Sequence, residues 1–235
     1  MRPFARTLTR VAPVIGLLAV FACGRSASAQ DSTAQGRVLV TSAAVAGTID
    51  HRVDVGGGVE RTTGPVFGIQ VDASRNPDLI VSLRALGGSL SPRSPVADQR
   101  DVGEIGGDVR IRVLSWLDAR GGATVRSFTS ELARQRWTEL SVGADMRVGM
   151  LGGRIDGTAG AALLPYVRVS GHQSPGLAIA ASMGLRHTSK RYELGLLYQL
   201  ERYDFAALSG VSRAEEHSVL LLRAGYRIGI GHSAR

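Results

Sequence analysis

The sequence predicts an all-β protein: an antiparallel transmembrane β-barrel of about ten strands, with eight as the smaller alternative. Three observations predict it. Apolar and polar residues alternate with period 2 in segment after segment, which is the pattern of strands and not of helices. The two faces of these segments are extreme, with Ala, Val, Leu, Ile and Gly on one and Asp, Glu and Arg in mid-strand on the other. The polar faces also mix signs almost evenly. That suits an enclosed lumen, where a charge without a partner costs several kcal/mol.

The N-terminal segment is read separately. Met1–Arg10 carries three arginines, Val11–Cys23 is apolar, and Ala27-Ser28-Ala29 is an A-x-A cleavage site. This is the layout of a secretory signal peptide over residues 1–29, with the barrel domain over 30–235. Thirteen apolar residues are too few for a spanning helix, which needs about 20. A lipoprotein signal with Cys23 as the acylated residue fits less well, because the bulky Phe21 sits two residues before it. Four of the 28 basic residues lie in this segment and none of the 20 acids, so the remainder holds 24 against 20, or +4. A balance so close to neutral implies no nucleic-acid partner. No cysteine follows Cys23, which excludes a disulfide scaffold, a thiolate metal site and a cysteine nucleophile from the mature chain.

The elements then follow in order. Arg37–Ile49 is extended in composition, although its two faces differ little. Pro65–Ala73 and Leu79–Gly87 are weaker alternating copies. Gly103–Val113 sets Ile105, Val109, Ile111 and Val113 against Glu104, Asp108, Arg110 and Arg112. Leu117–Thr129 carries Asp118, Arg120 and Arg126 on its polar face. Thr138–Met150 is the clearest, with Leu140, Val142, Ala144, Met146, Val148 and Met150 opposite Glu139, Asp145 and Arg147. Arg154–Val169 sets an apolar face ending in Val167 and Val169 against Arg154, Asp156 and Arg168. Leu177–Leu185 is another weak copy. Tyr192–Glu201 opposes Tyr192, Leu194, Leu196, Tyr198 and Leu200 to Glu193 and Glu201. Ser218–Ile230 opposes Leu220, Leu222, Tyr226, Ile228 and Ile230 to Arg223 and Arg227. Each segment is about long enough to cross a bilayer as a tilted strand.

The polar residues named above, from Glu104 to Arg227, form the expected lumen-lining charge network, with Asp72, Arg84 and Arg186 continuing it. The bland reading is a plug of salt-bridged side chains, since small barrels are filled by their own interior residues. The functional alternative is a narrow polar pore. Inward glycines such as Gly106, Gly143, Gly160 and Gly225 would leave room for long arginines or for water. Short turns are expected on the periplasmic side at Ser74–Asp78, Leu114–Trp116, Leu151–Gly153 and His187–Arg191, and long outer loops at Ser89–Asp101 and Asp204–Glu216. Trp116, Trp137, Tyr192, Tyr198 and Tyr226 are the candidates for an interfacial aromatic girdle. The competing architecture is a secreted soluble sheet with its apolar face inward.

Arg223-Ala224-Gly225-Tyr226-Arg227-Ile228-Gly229-Ile230 resembles the terminal-strand signal read by the barrel-assembly machinery: polar residue, Gly, then apolar-x-apolar, carried here by Arg223, Gly225, Ile228 and Ile230. With the alternation, this makes the chain similar to small bacterial outer-membrane β-barrel proteins of the opacity-type and porin-like class. The resemblance implies an outer-membrane location and, as partners, membrane lipid, lipopolysaccharide and the assembly machinery. The opposed apolar and charged strand faces, with no convincing catalytic constellation, lead to the expectation of a structural or surface-interaction role without an enzyme activity, and no cofactor is implied. His187-Thr188-Ser189 resembles the His-x-Ser pair of lipid A deacylase barrels, where a base activates a hydroxyl, but Lys190-Arg191 replaces the Asn-Ala expected next and the site falls in a periplasmic turn. Asp50-His51, with Asp54, is placed in the first outer loop, where omptin proteases carry Asp/His groups, yet the Asp-x-His spacing is absent. The five histidines are scattered without ligand spacing, so no metal is implied.

Overall fold

The structure is a computed structural model that describes residues 38–230, except Pro77, Val96, Leu132 and His172. The expected signal peptide, with Cys23, lies outside the described residues. Ten strands follow one another: β1 Val38–Val55, β2 Gly58–Asn76, β3 Leu79–Pro92, β4 Arg100–Leu114, β5 Leu117–Thr129, β6 Arg134–Met150, β7 Ile155–Val169, β8 Leu177–Thr188, β9 Tyr192–Leu208 and β10 Val211–Ile230. Each pairs antiparallel with its sequence neighbours, and β1 pairs with β10 from Val38↔Ile230 to Val55↔Arg213, which closes the barrel. Closure leaves no edge strand, as a lipid setting requires. We call the end where β1 begins and β10 finishes the near end, and the opposite one the far end.

Alternation fixes which side chains face out. On β6, Leu140, Val142, Met146 and Val148 are exposed on the outer surface, while Glu139 is buried. From Leu140 to Met150, at roughly 3.3 Å per residue and a tilt of roughly 40°, the apolar stretch rises about 25 Å. Similar stretches run over Pro65–Ala73, Gly103–Val113 and Leu220–Ile230, so the outward apolar residues form one belt. At its near edge stand exposed Trp116, Tyr192 and Tyr226, the two tyrosine rings 5.5 Å apart and edge-on.

Three expectations are corrected here. Asp204–Glu216 is not a loop. It forms the tops of β9 and β10, joined by Ser209-Gly210 with φ of +51° and +81°. A two-residue turn with both residues left-handed matches the twist of a hairpin. Its polar sequence reflects a strand pair that has left the belt. Asp50, His51 and Asp54 are likewise strand residues of β1, not loop residues. Trp137 is no girdle residue: it points into the lumen and is 1% exposed.

A fourth correction has a separate cause. β7 carries a bulge opposite β6, where Leu140↔Tyr166 is followed by Val142↔Leu163. One extra residue in a strand turns every later side chain to the other face. Val167 and Val169 are therefore buried inside, and Arg168 is exposed outside. Pro165, which cannot donate to the ladder, sits in the bulge. Arg154 also leaves the lumen set, because it is an exposed residue of the β6–β7 turn.

Candidate functional site: a lumen in two halves

The far half of the lumen is packed solid. Val45, Ile49, Val66, Leu90, Val102, Phe128, Trp137, Leu164, Val219 and Leu221 converge there from around the barrel. This apolar core has the character of a soluble protein's interior. In its floor lies a buried charge knot centred on Arg126, which is 2% exposed. Arg126 Nε donates to Glu104 Oε2 at 2.8 Å, and its two terminal nitrogens stand 2.9 Å from Glu201 and 3.5 Å from Glu139. Arg84 reaches Glu104 Oε1 at 2.7 Å. The Tyr203 hydroxyl lies 2.8 Å from Glu201 and 3.0 Å from Glu139. One cation thus organises three carboxylates from β4, β6 and β9, with a second arginine and a phenol completing the shell.

Above the knot, His51 Nε2 lies 3.0 Å from Glu215 Oε2, and Arg213 binds the same carboxylate. The His51 ring stacks on Phe128 with centroids 4.5 Å apart. His217 Nδ1 is 3.4 Å from Glu201. Trp137 packs against Tyr203 at 4.8 Å. The gap among these rings is too small for a water molecule.

The near half is different. A cavity of about 160 Å³ is lined by Arg110, Arg120, Arg147, Arg186, Asp108, Asp118 and Asp145, with Ser141, Thr158, Ser182 and Gln199 between them, and its upper end reaches Arg84, Glu139 and Glu201 of the knot. Its volume has room for roughly five waters. Arg147 binds Asp118, and Arg110 reaches Asp108 and Ser82 at 3.2 Å. Other pairs are loose: Arg120–Asp145 is 3.7 Å, Arg112–Asp118 3.7 Å, Arg186–Asp156 3.6 Å and Arg227–Glu193 3.7 Å. The Nε atoms of these four arginines lack a hydrogen-bond partner within the protein. Gly160 makes space for one acid, since a Cβ there would stand 1.9 Å from Asp145 Oδ1.

The lumen residues expected from sequence therefore divide. Glu104, Arg126, Glu139 and Glu201 meet in the far knot. Asp108, Arg110, Arg112, Asp118, Arg120, Asp145, Arg147, Asp156, Glu193, Arg223 and Arg227 face the near half. Arg154 and Arg168 do neither. Sequence reasoning missed Tyr203, Arg213, Glu215 and His217, and it placed His51 in an outer loop and not in the lumen. Continuing the inward parity of Arg223 back along β10 reaches His217 and Glu215, and carrying Glu201 forward on β9 reaches Tyr203.

His187 and Ser189 are not brought together as base and nucleophile. His187 Nδ1 is held 2.8 Å from the Arg154 carbonyl oxygen. The Ser189 hydroxyl donates to the Tyr192 carbonyl at 3.1 Å and accepts from the Tyr192 amide at 3.0 Å. On β10, Arg223 and Gly225 face the lumen while Ile228 and Ile230 are exposed on the belt.

No protein-family profile matches the chain, and no curated protein matches it in sequence. Solved structures do match in fold. The outer membrane protease OmpT from Escherichia coli superposes with a TM-score of 0.52 at 8% identity, over 85% of this chain and 99% of that one. Ail, the attachment invasion locus protein of Yersinia pestis, gives 0.35 at 14% identity over 83% and 99%. Neisserial surface protein A gives 0.34 at 13% identity over 79% and 95%. The chain has the closed antiparallel fold of outer-membrane β-barrels.

Proposed function

We propose that this protein is a non-enzymatic component of a bacterial outer membrane, with a sealed lumen and a structural or surface-interaction role at its far rim. The observation that carries this reading is the far half: apolar packing surrounds a charge knot in which Arg126 meets three carboxylates, and the gap among the rings above it admits no water. The apolar belt of about 25 Å supports the membrane setting. In it the near end faces the periplasm. Arg223, Gly225, Ile228 and Ile230 then serve as the signal for the assembly machinery, the inward and outward sides of β10 giving that pattern its two faces.

The test is a heat-modifiability gel beside planar-bilayer recording of the refolded chain. A shift on boiling without conductance steps is expected. Steady steps would overturn the sealed lumen. No shift, with protein soluble in plain buffer, would overturn the membrane reading. The near-half cavity favours a second reading, a narrow polar pore gated by the far core. That reading requires steps in the unmodified protein, with ion selectivity that changes in Arg110→Glu or Arg147→Glu.

A further inference from the structure

The far rim carries two kinds of outward arginine. On the wall built by β9, β10, β1 and β2, the arginines are answered by acids. Arg61 binds Asp50 through Nε at 2.9 Å and Nη2 at 2.7 Å, Arg52 binds Asp54 at 2.9 Å, and Arg202 lies 3.2 Å from both Asp204 and Glu216. On β6 and β7 the pattern stops. Arg134, Arg136 and Arg168 are exposed, and no acid among the described residues stands within 4.0 Å of their guanidinium groups.

These three share one outer face. Thr138 pairs with Arg168, and the Arg136 amide donates to Ser170 Oγ at 2.8 Å, so Arg136 and Arg168 are diagonal neighbours on adjacent strands. Such neighbours stand roughly 7–8 Å apart, within reach of two long side chains converging on one group. Arg134 is two residues further along the same face of β6. Directly below lie Leu140, Val142, Leu163 and Tyr166, all exposed on the belt. The patch is thus cationic above and apolar below, on the outside of the barrel.

We propose that Arg134, Arg136 and Arg168 bind the phosphorylated headgroup of an outer-leaflet lipid. The proposal rests on the membrane reading above and names a partner for one part of the rim. Guanidinium forks match phosphate oxygens two at a time, and arginine stems can lie along apolar surface while their heads stay wet. The occupant must therefore place acyl chains against Leu140 and Leu163 and an anion one step higher. A nucleic acid would need a continuous basic stripe, and the rest of the rim is charge-paired.

The experiment titrates the refolded barrel in neutral detergent with bisphosphorylated lipid A and with its dephosphorylated form, reading binding by native mass spectrometry. The unmodified protein should prefer the phosphorylated form by roughly tenfold or more, the scale of one or two charged hydrogen bonds. Arg136→Gln with Arg168→Gln should lose that preference and keep the heat shift. Arg52→Gln with Arg202→Gln, on the acid-paired wall, should retain it. Equal binding of the two lipids, equal loss in both variants, or full displacement by millimolar inorganic phosphate would overturn the proposal. A barrel that gives no heat shift would instead sink the membrane reading beneath it.

Discussion

The two halves of the barrel are built by the same ten strands, yet they invert one another. In the near half the wall is apolar outside and charged inside. In the far half of β1, Ile49 and Val53 point in while Asp50, Arg52 and Asp54 point out. β10 makes the same change, from Arg223 inside and Leu222 outside to Val219 inside and Glu216 outside. The level at which this exchange happens marks where the belt ends. Beyond it the protein packs as a soluble domain does, with its apolar residues in the middle. The near half gains little from packing and keeps its arginines around a cavity large enough for water. The far half supplies the cohesion and, on the function proposed above, the seal.

That contrast is broken most severely at Arg126. Replacing it with Met leaves Glu104, Glu139 and Glu201 facing one another in a buried floor, the last two at the edge of the near-half cavity. Removing one partner of a buried ion pair costs about 3–5 kcal/mol. The urea midpoint of the heat-modifiable form should fall by a large fraction of its range, or the folded band should vanish. A midpoint within error of the unmodified protein would show that water enters the knot and that the far half is not sealed.

Next in size is the apolar core itself. Ile49 is fully buried, and Ile49→Ala should cost about 2–4 kcal/mol by leaving a cavity that the surrounding strands cannot close. The matched change on the belt, Ile69→Ala, exposes no cavity and should cost less than half as much in the same urea series. If the two cost the same, the far half is not a core in the sense argued here.

These particular residues also show what was legible in the sequence. The strands, the closed order and most of the near-half charges follow from period 2, because the belt forces one face to be apolar over its whole height. The far half was misread for the same reason. Once strands leave the apolar belt, Asp204, Glu215 and Glu216 look like a loop, and nothing in local composition separates a polar strand from one. Trp137 was assigned to the outside because amphipathic rings favour interfaces. Its inward position follows only from parity with Glu139. The bulge in β7 erased that parity for Arg168. Its one local sign was Pro165. The His51–Glu215 contact joins residues 164 apart and becomes visible only when β1 closes on β10.

The smallest effects are expected where charges already touch water, and they sharpen the comparison from the other side. In the near half, Arg120 stands 3.7 Å from Asp145, and its Nε has no hydrogen-bond partner within the protein. In Arg120→Gln the cavity supplies water to the Asp145 carboxylate, so the loss should be about 1 kcal/mol or less. At the rim, Arg61 is bound through two nitrogens to Asp50 but is mostly exposed, with 57% of its side chain open to solvent. Exposed pairs of this kind contribute little and weaken as salt screens them. Arg61→Gln should therefore lower the urea midpoint slightly at low ionic strength and not at all at 0.5 M salt. Arg126→Met should keep most of its cost at both, because a buried ion pair is screened much less than an exposed one. If its cost also faded with salt, the floor of the far half would have to be wet, and the distinction between the halves would fail at the residue that defines it.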